Sequence, residues 1–208
     1  MLIMATFHLT EFITTALINP RSLKIDSFLL NHSQEYGIAA AISWIEYLIE
    51  CNLFPSIKRI RLIRNVGLVV CIIGEIIRKS AMFTAGSNFN HIIQTRREEN
   101  HRLIKHGVYN LCRHPSYVGW YYWAIGTQLV LSNPVCFIGY AFVSWSFFKA
   151  RIEEEEVTLV DFFGQEYLKY KDLVPSGLPF IHGYDPRTET AEEEIDWPHE
   201  EEPDDERK

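Results

Sequence analysis

The segment "LCRHPSYVGW", residues 111–120, places polar and ionisable side chains directly before a long apolar run. His114 and Tyr117 can each donate or accept hydrogen bonds. A second polar group follows downstream, where Arg151 precedes a run of four glutamates at 153–156. A fixed cation, carboxylates, an imidazole and a phenol beside apolar residues are typical of a cavity that binds a partly polar ligand.

Each part of this pattern also has a purely structural explanation. Arg113 and His114 could anchor a helix at a lipid interface, and Pro115 suits the first position of a helix. A run of glutamates is common where a solvated helix begins, because the helix macrodipole favours negative charge there. The spacing alone therefore leaves both a catalytic and a structural role open.

The block between the two polar groups, residues 117–148, is apolar and aromatic and contains Asn133-Pro134 near its middle. Proline ends or kinks a helix, so the block predicts a helical hairpin. Each half has about 15 residues, fewer than the ~20 needed to cross ~30 Å of hydrocarbon, which favours a re-entrant pair or two helices extended by flanking aromatics. A hairpin brings the polar residues on its two sides to one membrane face, where we expect a single pocket formed by Gln94, His101, Tyr109, His114, Tyr117, Arg151 and the 153–156 run.

Three further apolar segments span about 1–18, 37–54 and 62–83, which makes five with the two halves of the hairpin. Aromatic residues make up 13% of the chain, and tryptophans lie near the expected interfaces, as in membrane proteins. The sequence therefore predicts an all-α, polytopic integral membrane protein with about five transmembrane or re-entrant helices, rather than a soluble helical bundle.

Several ionisable residues interrupt the apolar segments. In a membrane such residues face other helices or a water-filled cavity, so we expect polar partners for them. These residues are His8, Glu11, Glu46, Glu50 and Glu75.

Residues 152–172 have a glutamate-rich start and regularly spaced apolar positions, which predicts a further helix that Gly164 interrupts. The segment "VPSGLPF" would then end it. The four cysteines have no metal-type or redox-type spacing, so we expect reduced thiols, no disulfide framework and no metal site.

The charge is unevenly distributed along the chain. Residues 185–208 contain twelve acidic and three basic residues, whereas the whole chain carries −7, so residues 1–184 are mildly basic. We expect 1–184 to form the membrane domain and 185–208 a disordered acidic tail. Basic residues in 84–115 and 149–181 suggest a cytosolic pocket, although Lys58, Arg59, Arg61 and Arg64 would lie on the opposite face.

Several longer blocks resemble one enzyme family. "RHPSYVGW", "IGTQLVLSNP", "RIEEEEVTLVDFFGQEYLKYK", "VPSGLPFI" and "AMFTAGSNFNHIIQ" are similar to the isoprenylcysteine carboxyl methyltransferases, and the resemblance extends from near residue 2 to about 183. The shorter pattern of RHPxY followed some 35 residues later by a glutamate pair is shared with other small membrane methyltransferases and sterol reductases. The longer blocks distinguish the prenylcysteine enzymes.

The resemblance implies a multi-pass enzyme of the endoplasmic reticulum membrane with its active site facing the cytosol. Such enzymes transfer a methyl group from S-adenosylmethionine to the C-terminal carboxylate of a farnesylated or geranylgeranylated cysteine in processed CaaX proteins, such as Ras-like small GTPases. The lipid bilayer is then a partner, and we expect no nucleic-acid partner. Family members carry transmembrane helices before the point where this resemblance begins, so we expect domain 1–184 to lack them.

The resemblance also implies roles for individual residues. Arg151 matches the arginine that binds the substrate carboxylate. Cofactor-binding positions of the family match Gln94, His101, Arg102, Leu103, Ile104, Tyr109, His114, Pro115, Ser116, Tyr117 and Glu155.

Three alternatives remain open at the level of sequence. A lipid-amine methyltransferase would have no use for the positive charge of Arg151, because an amine needs no cation. A truncated, non-catalytic member of the family could bind prenylcysteine or the cofactor without turnover. A sterol-type reductase would need a nicotinamide site, for which the chain shows no glycine-rich signature.

Overall fold

The computed structural model describes residues 2–29, 34–97, 99 and 101–188, and its regular structure in this part of the chain is helical throughout. Of the predicted tail, 185–208, residues 189–208 lie outside the described residues. The α-helices are α1 (Leu2–Ile18), α2 (Gln34–Leu53), α3 (Pro55–Lys58), α4 (Arg61–Ala85), α5 (Pro115–Leu131), α6 (Pro134–Phe163) and α7 (Gln165–Leu173).

The predicted hairpin is present as α5 and α6, and the chain reverses at Ser132 and Asn133. Both helices begin with a proline, which fits their first turns because no backbone N–H is required there. The second half, however, is not about 15 residues long. It continues through the glutamate run to form a helix of 30 residues, about 45 Å in length at 1.5 Å per residue.

That extension corrects the prediction of a separate helix over 152–172. Glutamate is a good helix former, so the change from apolar to acidic residues does not end the helix. The break occurs at Gly164, which has φ +52° and separates α6 from α7. Within the described residues α6 is the one helix that is long and apolar enough to cross a membrane, and α1 is a shorter apolar helix.

Helices α4 and α5 pack closely because glycines face each other at their crossing. A Cβ atom on Gly74 would lie 2.6 Å from the Gly119 carbonyl oxygen, and one on Gly126 would lie 2.9 Å from the Cys71 sulfur. Small residues allow two helix backbones to approach in this way. The close crossing holds the first turn of α5, where the HPSY residues lie, against α4.

The turn between α5 and α6 is held by charged residues of α2 and α3. The Lys58 ammonium donates to Glu50 at 2.6 Å and to the last carbonyl groups of α5. The Glu46 carboxylate accepts from the first two free N–H groups of α6, those of Val135 and Cys136, at 2.8 and 2.7 Å. These contacts place a cation at a helix C-terminus and an anion at a helix N-terminus, as the helix dipoles favour.

The expectation that the interrupting ionisable residues have polar partners is confirmed. His8 contacts the Phe28 carbonyl and the Tyr36 hydroxyl, and Glu75 accepts from Thr10. Glu11 is completely buried beside Arg78. The four cysteines are free, as predicted.

Candidate active site

One cavity collects the residues of both polar groups. It contains about 1260 Å³ of empty space, part of which is open to solvent. The HPSY end of α5, the middle of α6, the loop after α4 and helix α7 form its walls. Every residue to which the family resemblance gives a role lines this cavity: Gln94, His101, Arg102, Leu103, Ile104, Tyr109, His114, Pro115, Ser116, Tyr117, Arg151 and Glu155.

Helix α6 presents one face to the cavity. Arg151 and Glu155 lie one turn apart on this face, as side chains four residues apart do, and Thr158 continues the same stripe. The prediction that the whole glutamate run faces the pocket is wrong. Glu153 and Glu154 are exposed outside it, because consecutive residues of a helix point in directions about 100° apart.

Arg151 and Glu155 are connected through the phenol of Tyr117. The Arg151 Nε donates to the Tyr117 hydroxyl oxygen at 3.1 Å, and the hydroxyl donates to the Glu155 carboxylate at 2.6 Å. A cation and an anion therefore lie in the same cavity without contacting each other directly.

A second contact holds Arg151 from the opposite wall. Its Nη2 donates to the backbone carbonyl of His91 at 2.6 Å. Among the described residues these contacts engage Nε and Nη2, so the N–H groups of Nη1 and the second N–H of Nη2 remain for a ligand. Two N–H groups at the end of a guanidinium match the two oxygens of a carboxylate.

Glu156, the last glutamate of the run, forms a buried centre behind the cavity wall. Its carboxylate accepts from Arg113 at 2.8 Å, from His114 Nε2 at 2.9 Å and from Lys171 at 2.6 Å. Because an ionised carboxylate can only accept, the hydrogen on His114 Nε2 points at Glu156. The other ring nitrogen, Nδ1, lies 3.7 Å from Glu155.

The segment after α7 makes hydrogen bonds to Arg113 and His114, at the start of the HPSY motif. The backbone N–H groups of Arg113 and His114 donate to the carbonyls of Pro175 and Ser176 at 2.9 and 3.1 Å. The Arg113 guanidinium also donates to the His182 carbonyl at 2.9 Å. The "VPSGLPF" segment therefore does more than end a helix, because its carbonyl groups accept hydrogen bonds from the backbone N–H groups that lead into α5.

Sequence reasoning assigned no site role to Arg113 and Arg78, and it placed Glu156 in the pocket with the rest of its run, whereas Glu156 does not line the cavity. Arg113 and Glu156 are separated by 43 residues, so no local spacing indicates their contact. Arg78 lies in a long apolar helix, and nothing in the local sequence indicates that it reaches the cavity. Its guanidinium lines the cavity, donates to the Ser116 hydroxyl at 2.8 Å and lies 4.7 Å from the centre of the Trp120 ring.

The loop after α4 covers one side of the cavity and is fixed at several points. Asn88 accepts from the backbone N–H of Arg102 at 2.9 Å, and the Gln94 amide donates to the Ile92 carbonyl at 2.9 Å. The His91 imidazole contacts Glu11 at 3.0 Å. Burial lowers the pKa of His91, so its ring is neutral at neutral pH.

Tyr109 and Tyr170 close the end of the cavity beside α7. The Tyr170 hydroxyl donates to the Tyr109 carbonyl at 2.5 Å, which holds the short turn Gly107–Asn110 against α7. Burial raises the pKa of the Tyr109 phenol, so it stays protonated at neutral pH and can donate a hydrogen bond.

The arrangement suits transfer between two ligands, one with a positively charged group and one with a carboxylate. Glu155 provides an acceptor for a cation, and Arg151 provides donors for an anion one helical turn away. The described residues hold no group of three His, Cys, Asp or Glu that could bind a metal ion.

Comparison with protein families and known proteins identifies relatives. Residues 66–161 match the model of the isoprenylcysteine carboxyl methyltransferase family. The chain is 56% identical over 177 residues to the protein-S-isoprenylcysteine O-methyltransferase of Xenopus laevis, an alignment that covers 85% of this chain and 62% of that protein. It is 45% identical over 177 residues to protein-S-isoprenylcysteine O-methyltransferase B of Arabidopsis thaliana, covering 85% of this chain and 89% of that protein.

A solved structure is also similar. It is that of the eukaryotic intramembrane Ras methyltransferase, an isoprenylcysteine carboxyl methyltransferase, with a TM-score of 0.87 and 52% sequence identity. The match covers 88% of this chain and 66% of that chain. The chain thus spans somewhat less than two thirds of the length of the Xenopus relative and almost the whole length of the Arabidopsis relative.

Proposed function

The chain belongs to the isoprenylcysteine carboxyl methyltransferase family, and from this premise we propose that it esterifies the C-terminal carboxylate of prenylated cysteine with a methyl group. The methyl donor in this proposal is S-adenosylmethionine. The observation that carries the proposal is the row Arg151–Tyr117–Glu155, which holds a cation and an anion at fixed positions in one cavity.

The proposed mechanism needs no proton relay, because the group that accepts the methyl is a carboxylate. A C-terminal carboxyl has a pKa near ~3.5, so it is ionised at neutral pH and needs no general base. Arg151 would bind and orient it through the N–H groups that Tyr117 and His91 leave available. Removal of water from the carboxylate when it enters the cavity would raise its reactivity, since hydration stabilises the anion.

The residues that line the cavity fit the cofactor. When bound, S-adenosylmethionine supplies a methyl group on a positively charged sulfur, and transfer moves the carbon–sulfur bonding pair onto that sulfur while a carbon–oxygen bond forms. Glu155 would accept from the ammonium group of the cofactor. Tyr109, His114 and Tyr117 offer hydrogen bonds, and the remaining predicted positions, Gln94, His101, Arg102, Leu103, Ile104, Pro115 and Ser116, would line its polar and apolar parts.

The prenyl chain would lie against the apolar wall of the same cavity. Trp120, Phe147 and Phe148 line this wall, and Phe147, which is 44% exposed, would face lipid. Burial of each methylene-sized unit contributes about 0.8 kcal/mol, so a 15-carbon chain supplies most of the binding free energy.

We propose the same setting as for the family. The helices would lie in the endoplasmic reticulum membrane, with the cavity open to the cytosol, and the substrates would be prenylated proteins such as Ras-like small GTPases. Large exposed apolar side chains on α2, α4 and α6 support immersion in lipid, among them Ile45, Leu48, Val69, Ile76, Ile138 and Phe142.

The experiment is transfer of tritium from labelled S-adenosylmethionine in membranes that express this chain, with three acceptors. N-acetyl-S-farnesylcysteine should gain base-labile label. Its C-terminal amide should gain none because it lacks the carboxylate, and N-acetylcysteine should gain little because it lacks the prenyl chain. Label on the amide, or equal label with and without the prenyl group, would contradict the proposal.

Arg151→Ala tests the position of the reaction. We expect transfer to fall at least 100-fold, about 2.7 kcal/mol, with the cofactor dissociation constant changed less than about threefold. Lys149→Ala is the control, because Lys149 is an exposed cation on the same helix that does not line the cavity. Equal loss of transfer and cofactor binding would show that Arg151 does not hold the carboxylate. Cofactor binding without transfer by the unaltered chain would favour a non-catalytic family member.

A further inference from the structure

We propose that His91 is a positioning residue for this reaction, which fixes Arg151 by joining it to the buried Glu11 of α1. The inference rests on the proposed function. His91 contacts these two groups through different atoms, because its backbone carbonyl accepts from Arg151 and its imidazole contacts Glu11.

Arg151 needs such a contact. Its side chain is only half-buried, and a long flexible side chain loses rotamer entropy when it is held in one geometry. Reacting groups must nevertheless be aligned closely, since small misplacements lower the rate strongly. Of the two hydrogen bonds that its guanidinium makes within the described part of the chain, the 2.6 Å contact to the His91 carbonyl is the shorter.

The other end of His91 is attached to a rigid point. Glu11 is 0% exposed, and Arg78 binds both of its oxygens, at 2.6 and 2.7 Å. Lys79 also contacts this carboxylate. A carboxylate with three partners on two other segments has little freedom to move.

The same carboxylate supports both halves of the site. Through Arg78 it holds Ser116 at the beginning of α5, and through His91 it holds Arg151 on α6. Helix α1 therefore sets the distance between the cofactor motif and the substrate-binding arginine, although Glu11 itself is absent from the lining of the cavity.

The chemistry of the imidazole allows a sharp substitution. An ionised Glu11 can only accept, so the neutral His91 ring must donate from Nε2. Glutamine carries an N–H donor at a similar distance from its backbone, whereas alanine removes the donor and leaves the backbone carbonyl in place. His91→Gln should therefore retain the function that His91→Ala loses.

His91 also lines the cavity, so its imidazole could instead contact the cofactor directly. The two roles predict changes in different constants when His91 is replaced. A cofactor contact would weaken cofactor binding, and a positioning role would raise KM for the prenylcysteine and lower kcat.

The experiment measures cofactor Kd, and KM and kcat for N-acetyl-S-farnesylcysteine, in membranes with the full chain. We expect His91→Ala to lower kcat/KM at least tenfold, about 1.4 kcal/mol, with cofactor Kd changed less than about twofold. His91→Gln should recover to within about threefold of the unaltered chain. His106→Ala is the control, because His106 is an exposed histidine of the same loop that does not line the cavity.

A second pair of variants tests the attachment to α1. Glu11→Gln should change kcat/KM in the same direction as His91→Ala, whereas Glu75→Gln should not. Glu75 is the matched control, because it is also a carboxylate beside Lys79 and its contacts lie outside the cavity. Retained cofactor binding shows that each variant is folded.

Unchanged kcat/KM in His91→Ala, no recovery in His91→Gln, or a larger effect on cofactor Kd than on kcat/KM would overturn the proposal. If the unaltered chain transfers no label, the proposed function fails separately. His91 is then tested by equilibrium binding of radiolabelled N-acetyl-S-farnesylcysteine in the presence of S-adenosylhomocysteine. The same order of affinities supports the positioning role, and equal affinities contradict it.

Discussion

Arg151 and Glu155 carry opposite charges one turn apart on the same helix face, yet they do not pair with each other. Side chains at this spacing commonly form ion pairs. Here the Tyr117 hydroxyl stands between them, accepting from one and donating to the other. A direct pair would engage both charged groups, so the phenol keeps them available for the two proposed ligands.

Glu155→Gln should weaken binding of S-adenosylmethionine about tenfold or more, because the amide keeps the shape but loses the charge that would pair with the cofactor ammonium. Glu154→Gln provides the control, since Glu154 is the preceding glutamate and is exposed outside the cavity. Both constants can be measured by isothermal titration in detergent. Equal affinities for the two variants would remove Glu155 from the cofactor site.

The sequence indicates which residues gather at the site. It does not indicate which of them line the cavity and which are buried behind its wall. Helical geometry separates Glu155 from Glu153 and Glu154 once α6 is known to be continuous. The role of Glu156 depends on Arg113, His114 and Lys171, which lie in two other segments. Contacts between distant segments leave no periodic signal in a single sequence.

At the level of helices, the hairpin was predictable and its length was not. Asn133-Pro134 marks the reversal in the sequence, and the structure has its turn there. The length of α6 could not be predicted from apolar content, because the apolar part of the helix ends well before the helix does. Backbone hydrogen bonds and helix propensity continue through the acidic residues, which lie beyond the apolar part.

The structure gives a role to three charged residues that do not fit the charge pattern of the sequence, namely Lys58, Glu46 and Glu50. Lys58 neutralises Glu50 and binds the end of α5, so its charge is not a free cation at a membrane face. Its side chain is 9% exposed. Counting it with the exposed Arg59 and Arg61 therefore overstates the positive charge on that side.

The close crossing of α4 and α5 gives a prediction for stability. Gly74→Ala should lower the melting temperature in detergent, because its Cβ would meet backbone atoms of Gly119 and Trp123 at 2.6 and 2.7 Å, and overpacking typically costs about 1–3 kcal/mol. Gly139→Ala on α6 is the matched control. A Cβ there meets nothing within 4 Å, so the same change should be neutral or slightly stabilising. Equal melting temperatures would contradict this packing.

For the whole molecule, buried ionisable residues and exposed apolar residues are arranged as in a membrane protein. Buried or half-buried ionisable residues of α1, α4 and α6, such as Glu11, Arg78 and Arg151, contact one another or line the cavity, and the exposed surface of the helices carries large apolar side chains. This arrangement suits a chain that binds a lipid-modified substrate from the membrane and a polar cofactor from water. In the proposed function, one cavity would receive both.

The most direct test uses a whole protein as the acceptor. A farnesylated Ras-like GTPase, trimmed so that it ends in the prenylcysteine, is incubated with labelled S-adenosylmethionine and membranes that express this chain. We predict base-labile label at its C-terminus and none on the same GTPase without the prenyl group. No label on the farnesylated protein, or equal label on both, would contradict the proposal that this cavity methylates prenylated C-termini.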